Sequence, residues 1–170
     1  MTARYGEPFD AARAETEVTE LLVADVPAAG PVTAAGDPAT GEWTHTTGPG
    51  FRVIPLWEGG DLTGLYEADW TAATETAEAH LKHLAAALSA TWGPPRVISI
   101  DGPMLKHQMG QPVEPLYRAL FAQDLYGDLH LWGPIETRWP ALVLGHSDGD
   151  APLVLAALIS TQEITQPPPP

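Results

Sequence analysis

The stretch that decides the fold is residues 71–101, TAATETAEAHLKHLAAALSATWGPPRVISID. Its first part carries apolar side chains four, three and four residues apart, at Ala77, Leu81, Leu84 and Leu88. This spacing puts them on one helical face and predicts an amphipathic helix over about 71–91, with Asp69 or Thr71 as the N-cap. Gly93 and the two prolines after it end the helix, and 96–101 follows as a strand. A helix followed at once by a strand indicates mixed α and β structure.

On the C-terminal side, three apolar runs predict an antiparallel meander over 128–132 (DLHLW), 139–146 (WPALVLGH) and 152–160 (PLVLAALIS). The last two runs are apolar enough for central strands, and the sequence DGD at 148–150 predicts a tight turn between them. Pro115 suits the first turn of a shorter second helix that extends to about Gln123. The tripeptide Trp-Gly-Pro occurs at 92–94 and 132–134, and we interpret the two copies as independent chain reversals.

On the N-terminal side, a short helix is expected to open within 8–14. Residues 17–26 (EVTELLVADV) favour a strand, although the spacing of Val18, Leu22 and Val26 also fits a helix. Residues 27–41 predict a loop. Residues 42–46 and 51–57 predict a hairpin in which Pro55 demotes the second strand to an edge or a bulge. Residues 61–69 give no clear prediction, because apolar residues at helical spacing alternate with glycines.

Together these elements predict an α+β domain of two layers, with two main helices packed on one face of a mostly antiparallel sheet of five to seven strands. A chain of 170 residues is long enough for one such domain. We assign residues 1–165 to it. Residues 166–170, Gln-Pro-Pro-Pro-Pro, predict a disordered or polyproline tail.

Charge and composition exclude several kinds of binding partner and reactive site. Twenty-two acidic against eight basic residues give a net charge of −14, which disfavours nucleic acid and anionic membranes and favours basic proteins, cations or neutral molecules as partners. The chain has no Cys, which excludes disulfides, thiolate nucleophiles and Cys-ligated metals. No apolar run resembles a signal peptide or a membrane span, so we expect a cytoplasmic protein. No motif predicts a cofactor or a metal.

Residues 53–81 contain no Lys or Arg and interleave carboxylates with aromatic residues. Charged side chains steer an encounter, and aromatic side chains supply most of the affinity at protein interfaces. The segment therefore predicts a protein-binding surface, with a solvated face and core aromatics as the alternative. The candidate binding residues are Trp57, Glu58, Asp61, Tyr66, Glu67, Asp69, Trp70, Glu75 and Glu78.

One short segment matches a known catalytic motif. Residues 145–149, Gly-His-Ser-Asp-Gly, match G-x-S-x-G, and this short stretch resembles the nucleophile elbow of the α/β-hydrolase family. The resemblance implies Ser147 as a nucleophile. The family places an acid and then a His after the Ser, but no His follows His146 in this chain. Pro152 also stands where the family continues a helix, so a turn between strands is the simpler interpretation.

Two weaker patterns remain. His80 and His83 lie three apart on the predicted helix, a spacing that metal ligands use, but helical geometry puts them on different sides. Lys106, His107, Gln108 and Gln111 lie between a predicted strand and a helix and would line a pocket or serve as a connector.

We therefore expect a non-enzymatic acidic protein-binding module. An immunity-type inhibitor of a basic toxin or enzyme is one form of it, since the small, acidic, Trp-rich chain is similar in general character to immunity proteins, without a diagnostic motif. The alternatives are a small serine hydrolase centred on Ser147 and a structural component of an assembled particle. The sequence leaves the oligomeric state open.

Overall fold

The computed structural model describes residues 1–145 and 152–170. Four α-helices, one 3₁₀ turn and seven strands make up the described part of the chain. In chain order they are α1 (Ala11–Glu20), the 3₁₀ turn Leu21–Val23, β1 (Thr33–Gly36), β2 (Trp43–Gly48), β3 (Phe51–Glu58), α2 (Glu67–Trp92), β4 (Arg96–Ile98), α3 (Asp101–Gln108), α4 (Pro115–Phe121), β5 (Leu129–Leu131), β6 (Trp139–Gly145) and β7 (Val154–Ser160).

The seven strands form one sheet in the order β1-β2-β3-β7-β6-β5-β4, and all neighbouring strands are antiparallel. The C-terminal strand β7 is therefore central, between β3 and β6. Its register pairs Ala157 with Ile54 on one side and with Leu142 on the other. The predicted α+β class, the antiparallel sheet of five to seven strands and the C-terminal meander are confirmed.

Helices cover both faces of this sheet. In β7, Leu155 and Ile159 belong to a core cluster with α1 and α2, whereas Ala156 and Leu158 belong to a second cluster with α4. The fold thus has three layers, and in this respect it differs from the predicted two layers with helices on one face. The unbroken apolar run of β7 is the physical reason, because a strand buried on both faces needs apolar side chains at every position.

The predicted main helix is confirmed as α2. All four residues of its apolar stripe, Ala77, Leu81, Leu84 and Leu88, are buried. The helix begins at Glu67, earlier than the predicted start near Thr71, and its N-cap is Tyr66. At its other end Gly93 adopts a φ of +78°, and its N–H bonds to the carbonyl of Ser89 at 2.9 Å. Only glycine adopts this conformation without strain.

The predicted strand over 17–26 is wrong, because α1 and the 3₁₀ turn occupy this region. The buried residues Ala14, Val18, Leu21 and Leu22 follow helical spacing, so the alternative periodicity was the correct one. Asp10 caps α1 by accepting the N–H of Arg13 at 3.0 Å. The predicted loop 27–41 contains the short strand β1, whose residues bury little and so leave no apolar pattern.

The predicted hairpin is confirmed as β2 and β3. Pro55 is tolerated inside the sheet because the pairing of β3 with β7 shifts between Pro55 and Trp57, as a bulge requires. The predicted helix near Pro115 is confirmed as α4. The preceding segment, expected to line a pocket or to serve as a connector, is helix α3 over most of its length.

The C-terminal segment 163–168 lies along the β4 edge of the sheet. The side-chain amide of Gln166 accepts the N–H of Ser99 at 3.0 Å and donates to the Ser99 carbonyl at 2.9 Å. Gly102 packs so tightly under Pro168 that a Cβ there would lie 2.1 Å from the Pro168 carbonyl oxygen. The domain boundary at residue 165 stays a prediction. Within the described residues, no helix has the length and apolar character needed to cross a bilayer.

Candidate functional site

The most exposed large side chains of the predicted binding segment lie where the chain enters α2. Tyr66 is 83% exposed and the preceding Leu65 is 45% exposed. The loop that carries them is fixed to the fold at Leu62, which is only 5% exposed and packs in the core cluster of α1 and α2. The N–H of Leu65 also bonds to the Leu62 carbonyl at 3.2 Å. The side chains of Leu65 and Tyr66 are thus presented to solvent on an anchored turn.

Asp61 begins this turn. Its carboxylate accepts the Thr63 hydroxyl at 2.6 Å and the Thr63 N–H at 2.9 Å. These two hydrogen bonds, the hydroxyl first, lower the pKa of Asp61. The carboxylate is therefore charged at neutral pH and holds the local backbone in a turn.

The remaining exposed carboxylates extend the negative charge along α2. Glu67 and Asp69 lie in the first helical turn, and Glu75 and Glu78 are exposed further along. Carboxylates in the first turn interact favourably with the positive end of the helix dipole, so two of the four also stabilise the helix. Trp70 is half-buried and packs against the α2 core cluster. Trp70 therefore packs beneath the candidate surface.

Two of the nine predicted binding residues lie inside the fold. Trp57 is 8% exposed and belongs to the core. Glu58 is 4% exposed, and its carboxylate accepts the backbone N–H of Thr2. This contact ties the N-terminal residues to the end of β3. Neither side chain is presented to solvent, so the candidate surface is reduced to the turn and the first half of α2.

The two histidines of α2 lie in different surroundings. His80 stacks on Phe9 with ring centroids 4.2 Å apart and meets the Trp57 ring edge-on at 4.8 Å. Burial lowers the pKa of His80, and the neighbouring His83 lowers it further. His83 itself is exposed. In the described ranges, no group of three His, Asp or Glu side chains is arranged to hold a metal ion.

Ser147 lies outside the described residues, so its surroundings stay untested. The strands on either side are described: β6 and β7 are antiparallel neighbours, and Gly145 pairs with Val154. The α/β-hydrolase elbow instead joins a strand of a parallel sheet to a helix. The strands that flank the motif therefore do not form the frame that this elbow requires.

No pattern in the sequence indicates the half-buried charge cluster between the N-terminal residues and α1. Arg4 contacts both Glu7 and Glu17, and Arg13 contacts Glu7 at 2.7 Å. Burial raises the pKa of Glu17, and the charges of Arg4 and Arg13 oppose this rise. Within the described ranges, one carboxylate oxygen of Glu17 is buried without a hydrogen-bond partner. These contacts join the N-terminal residues to α1 and are structural in character.

No pattern in the sequence indicates the cavity of about 550 Å³ that lies beside α3 and α4, on the face of the sheet opposite α2. Lys106, from the segment predicted to line a pocket, does line it. His107 from the same segment instead packs against Phe121, with ring centroids 5.2 Å apart. Tyr117 and Ser160, which the sequence did not single out, are buried polar residues that line this cavity.

No protein-family model, curated protein or solved structure matches this chain significantly.

Proposed function

We propose that this chain is a non-enzymatic protein-binding module that engages a basic protein partner through the N-terminal end of α2. The observation that carries the proposal is the exposure of Tyr66, 83%, in the middle of exposed carboxylates. Tyrosine is among the residues that contribute most to binding energy at protein interfaces, because it buries a large rigid surface at low entropic cost. The proposed surface comprises Asp61, Leu65, Tyr66, Glu67, Asp69, Glu75 and Glu78.

Local helix formation does not explain a tyrosine at this position. Tyr66 is the N-cap of α2, and its side chain makes no capping hydrogen bond. Ser, Thr, Asp or Asn would cap the first turn and stabilise the helix by about 1 kcal/mol. A residue that breaks a local rule and is exposed indicates a role outside the fold.

The charge around Tyr66 supports a basic partner. No Lys or Arg occurs between residues 53 and 81, so the negative field of the carboxylates is not neutralised locally along the sequence. Arg or Lys side chains of a partner would pair with Glu67 and Asp69, and an Arg could also stack on the Tyr66 ring. The same field repels nucleic acid. We further propose that the module acts in the cytoplasm, as an immunity-type inhibitor of a basic toxin or enzyme.

The test is affinity capture from a lysate of the source organism with the immobilised chain, at low and at high salt. A stoichiometric basic protein is expected at low salt and in reduced amount at high salt. Tyr66→Ser should abolish its retention, and the double variant Glu67→Gln/Asp69→Asn should weaken it.

The matched control is Asp128→Asn/Glu136→Gln, which removes the same charge from two exposed residues outside the proposed surface. This control should retain the partner as the wild type does. Retention by Tyr66→Ser equal to that of the wild type would contradict the proposal, and so would the absence of any basic protein.

A further inference from the structure

The cavity beside α3 and α4 is of a size that holds a small organic ligand. Its volume of about 550 Å³ falls within the range of about 300–1,000 Å³ that is typical of ligand pockets. One wall is formed by α4 and the residues before it, and the opposite wall by the C-terminal segment 162–168. Apolar side chains from several elements line it, namely Phe51, Val113, Leu116 and Ile164.

Tyr117 contributes a polar side chain to this cavity. Its side chain is only 6% exposed, and among the described residues its hydroxyl has no hydrogen-bond partner. Burial, with a smaller effect from the charge of Glu114, raises the pKa of Tyr117 to about 12. The hydroxyl is therefore a proton donor throughout the physiological range. A ligand in the cavity would offer this hydroxyl an acceptor that the described residues do not offer.

The walls are preformed. Six prolines line the cavity, and each fixes its own backbone φ, which limits how far the walls can adjust; they are Pro49, Pro103, Pro112, Pro115, Pro167 and Pro168. The C-terminal wall is held by the double hydrogen bond between Gln166 and Ser99 and by the ion pair of Glu163 with Arg96 at 3.5 Å. A rigid site loses little entropy on binding.

The charges of the lining favour an uncharged ligand. Glu114 and Glu163 contribute two carboxylates, and Lys106 contributes one cation. Lys106, Glu114 and Glu163 are all exposed, so they belong to the rim and not to the buried part where Tyr117 lies. An ionised ligand would lose hydration on entering the cavity without gaining a buried counter-charge.

We propose that this cavity binds an uncharged small molecule that carries a carbonyl group on an apolar ring, and that the Tyr117 hydroxyl donates a hydrogen bond to the carbonyl. The ring occupies the space between Leu116 and Ile164. The site lies on the face of the sheet opposite α2, so it does not depend on the protein-binding surface around Tyr66.

Protein-observed NMR titration tests this proposal, with benzamide as the probe and toluene as the probe without a carbonyl. Benzamide should shift the amide signals of Lys106, Leu116 and Gln166 in the wild type, and toluene should bind about tenfold more weakly, as expected for the loss of one hydrogen bond. Tyr117→Phe, which removes only the hydroxyl, should weaken benzamide about tenfold and leave toluene unchanged. Tyr5→Phe, at a tyrosine outside the cavity, is the control and should bind both probes like the wild type.

Benzamide binding that Tyr117→Phe leaves unchanged would overturn the assigned hydrogen bond. Shifts confined to other parts of the protein, or no saturable shifts, would overturn the site itself. Because Phe keeps the ring that packs in the core, a folded variant is expected, and its amide spectrum away from the cavity verifies this directly.

Discussion

The indole N–H of Trp132 donates a hydrogen bond to the carbonyl oxygen of Gly93 at 2.9 Å. The same indole meets the ring of Trp92 edge-on, with centroids 5.8 Å apart. The two Trp-Gly-Pro tripeptides, expected from the sequence to be independent chain reversals, are therefore in direct contact. This contact fastens the C-terminal end of α2 to the end of β5 and joins the helical layer to the sheet.

Trp132→Phe should destabilise the fold. The substitution leaves the Gly93 carbonyl without its donor and reduces a side chain that is only 2% exposed, so we expect a loss of about 1–3 kcal/mol in the free energy of unfolding. Trp92→Phe, at the half-buried partner, should cost less, about 0.5–1.5 kcal/mol. Urea denaturation followed by tryptophan fluorescence measures both. An equal loss for the two variants would show that the hydrogen bond contributes nothing beyond ring contact.

Glu17→Gln should flatten the pH dependence of stability in the acidic range. Burial raises the pKa of Glu17 above its ordinary 4.5, against the opposing charges of Arg4 and Arg13. The folded state therefore holds the proton more tightly than the unfolded state, and this contribution is full below pH 4.5 and is lost as the pH rises through the folded pKa.

Urea midpoints from about pH 4 to pH 7 measure this effect, with Glu136→Gln at an exposed position outside α1 as the control. The wild type and Glu136→Gln should lose stability relative to Glu17→Gln over this interval. A Glu17→Gln variant that is instead markedly less stable at neutral pH would show that the ion pair with Arg4 outweighs the cost of burial.

Gln166→Ala should release the C-terminal segment from the sheet edge. It removes both hydrogen bonds to Ser99, each with a net contribution of about 0.5–1.5 kcal/mol. Hydrogen exchange at the Ser99 amide should accelerate, whereas exchange in the central strand β7 should stay as in the wild type. Unchanged protection of Ser99 would contradict the assigned contact. The matched control is Gln162→Ala, an exposed glutamine of the same segment whose side chain makes none of these bonds.

Tyr66→Ser should make the protein more stable. Serine caps the first turn of α2, where Tyr66 makes no capping bond, and the exposed ring contributes little to the core. We expect a gain of about 1 kcal/mol in the free energy of unfolding. Thermal and urea denaturation measure the gain, with Tyr66→Ala as the variant that removes the ring without adding a cap. A loss of stability in Tyr66→Ser would mean that the ring supports the fold.

Long periodic elements of this fold are readable from the sequence, and short or two-sided ones are not. The stripe that ends at Leu88 and the apolar runs of β6 and β7 have enough repeats to fix their type. Residues 17–26 contain too few apolar repeats to fix their type, so the strand period and the helix period fit equally well. Only packing against α2 selects the helix. The run VLAALIS, which forms β7, indicates that both faces of the sheet are covered, because neither face of this strand is polar.

The candidate site can likewise be predicted from the sequence only in part. Charge spacing along 61–78 identifies the acidic surface, since exposed helix positions need no tertiary information. Burial of Trp57 and Glu58 depends on contacts with His80 and Thr2, which are distant in sequence. The cavity at Tyr117 is invisible to sequence patterns, because its two walls come from segments about 50 residues apart.

The most direct test of the central claim is the dissociation constant of the captured basic partner for the wild type and for Tyr66→Ser, measured by isothermal titration calorimetry at one salt concentration. A tyrosine at the centre of an interface contributes about 2 kcal/mol or more to binding, so we predict a Kd at least about 30-fold higher for Tyr66→Ser, although this variant is itself more stable. An unchanged Kd would contradict the claim that Tyr66 anchors the partner.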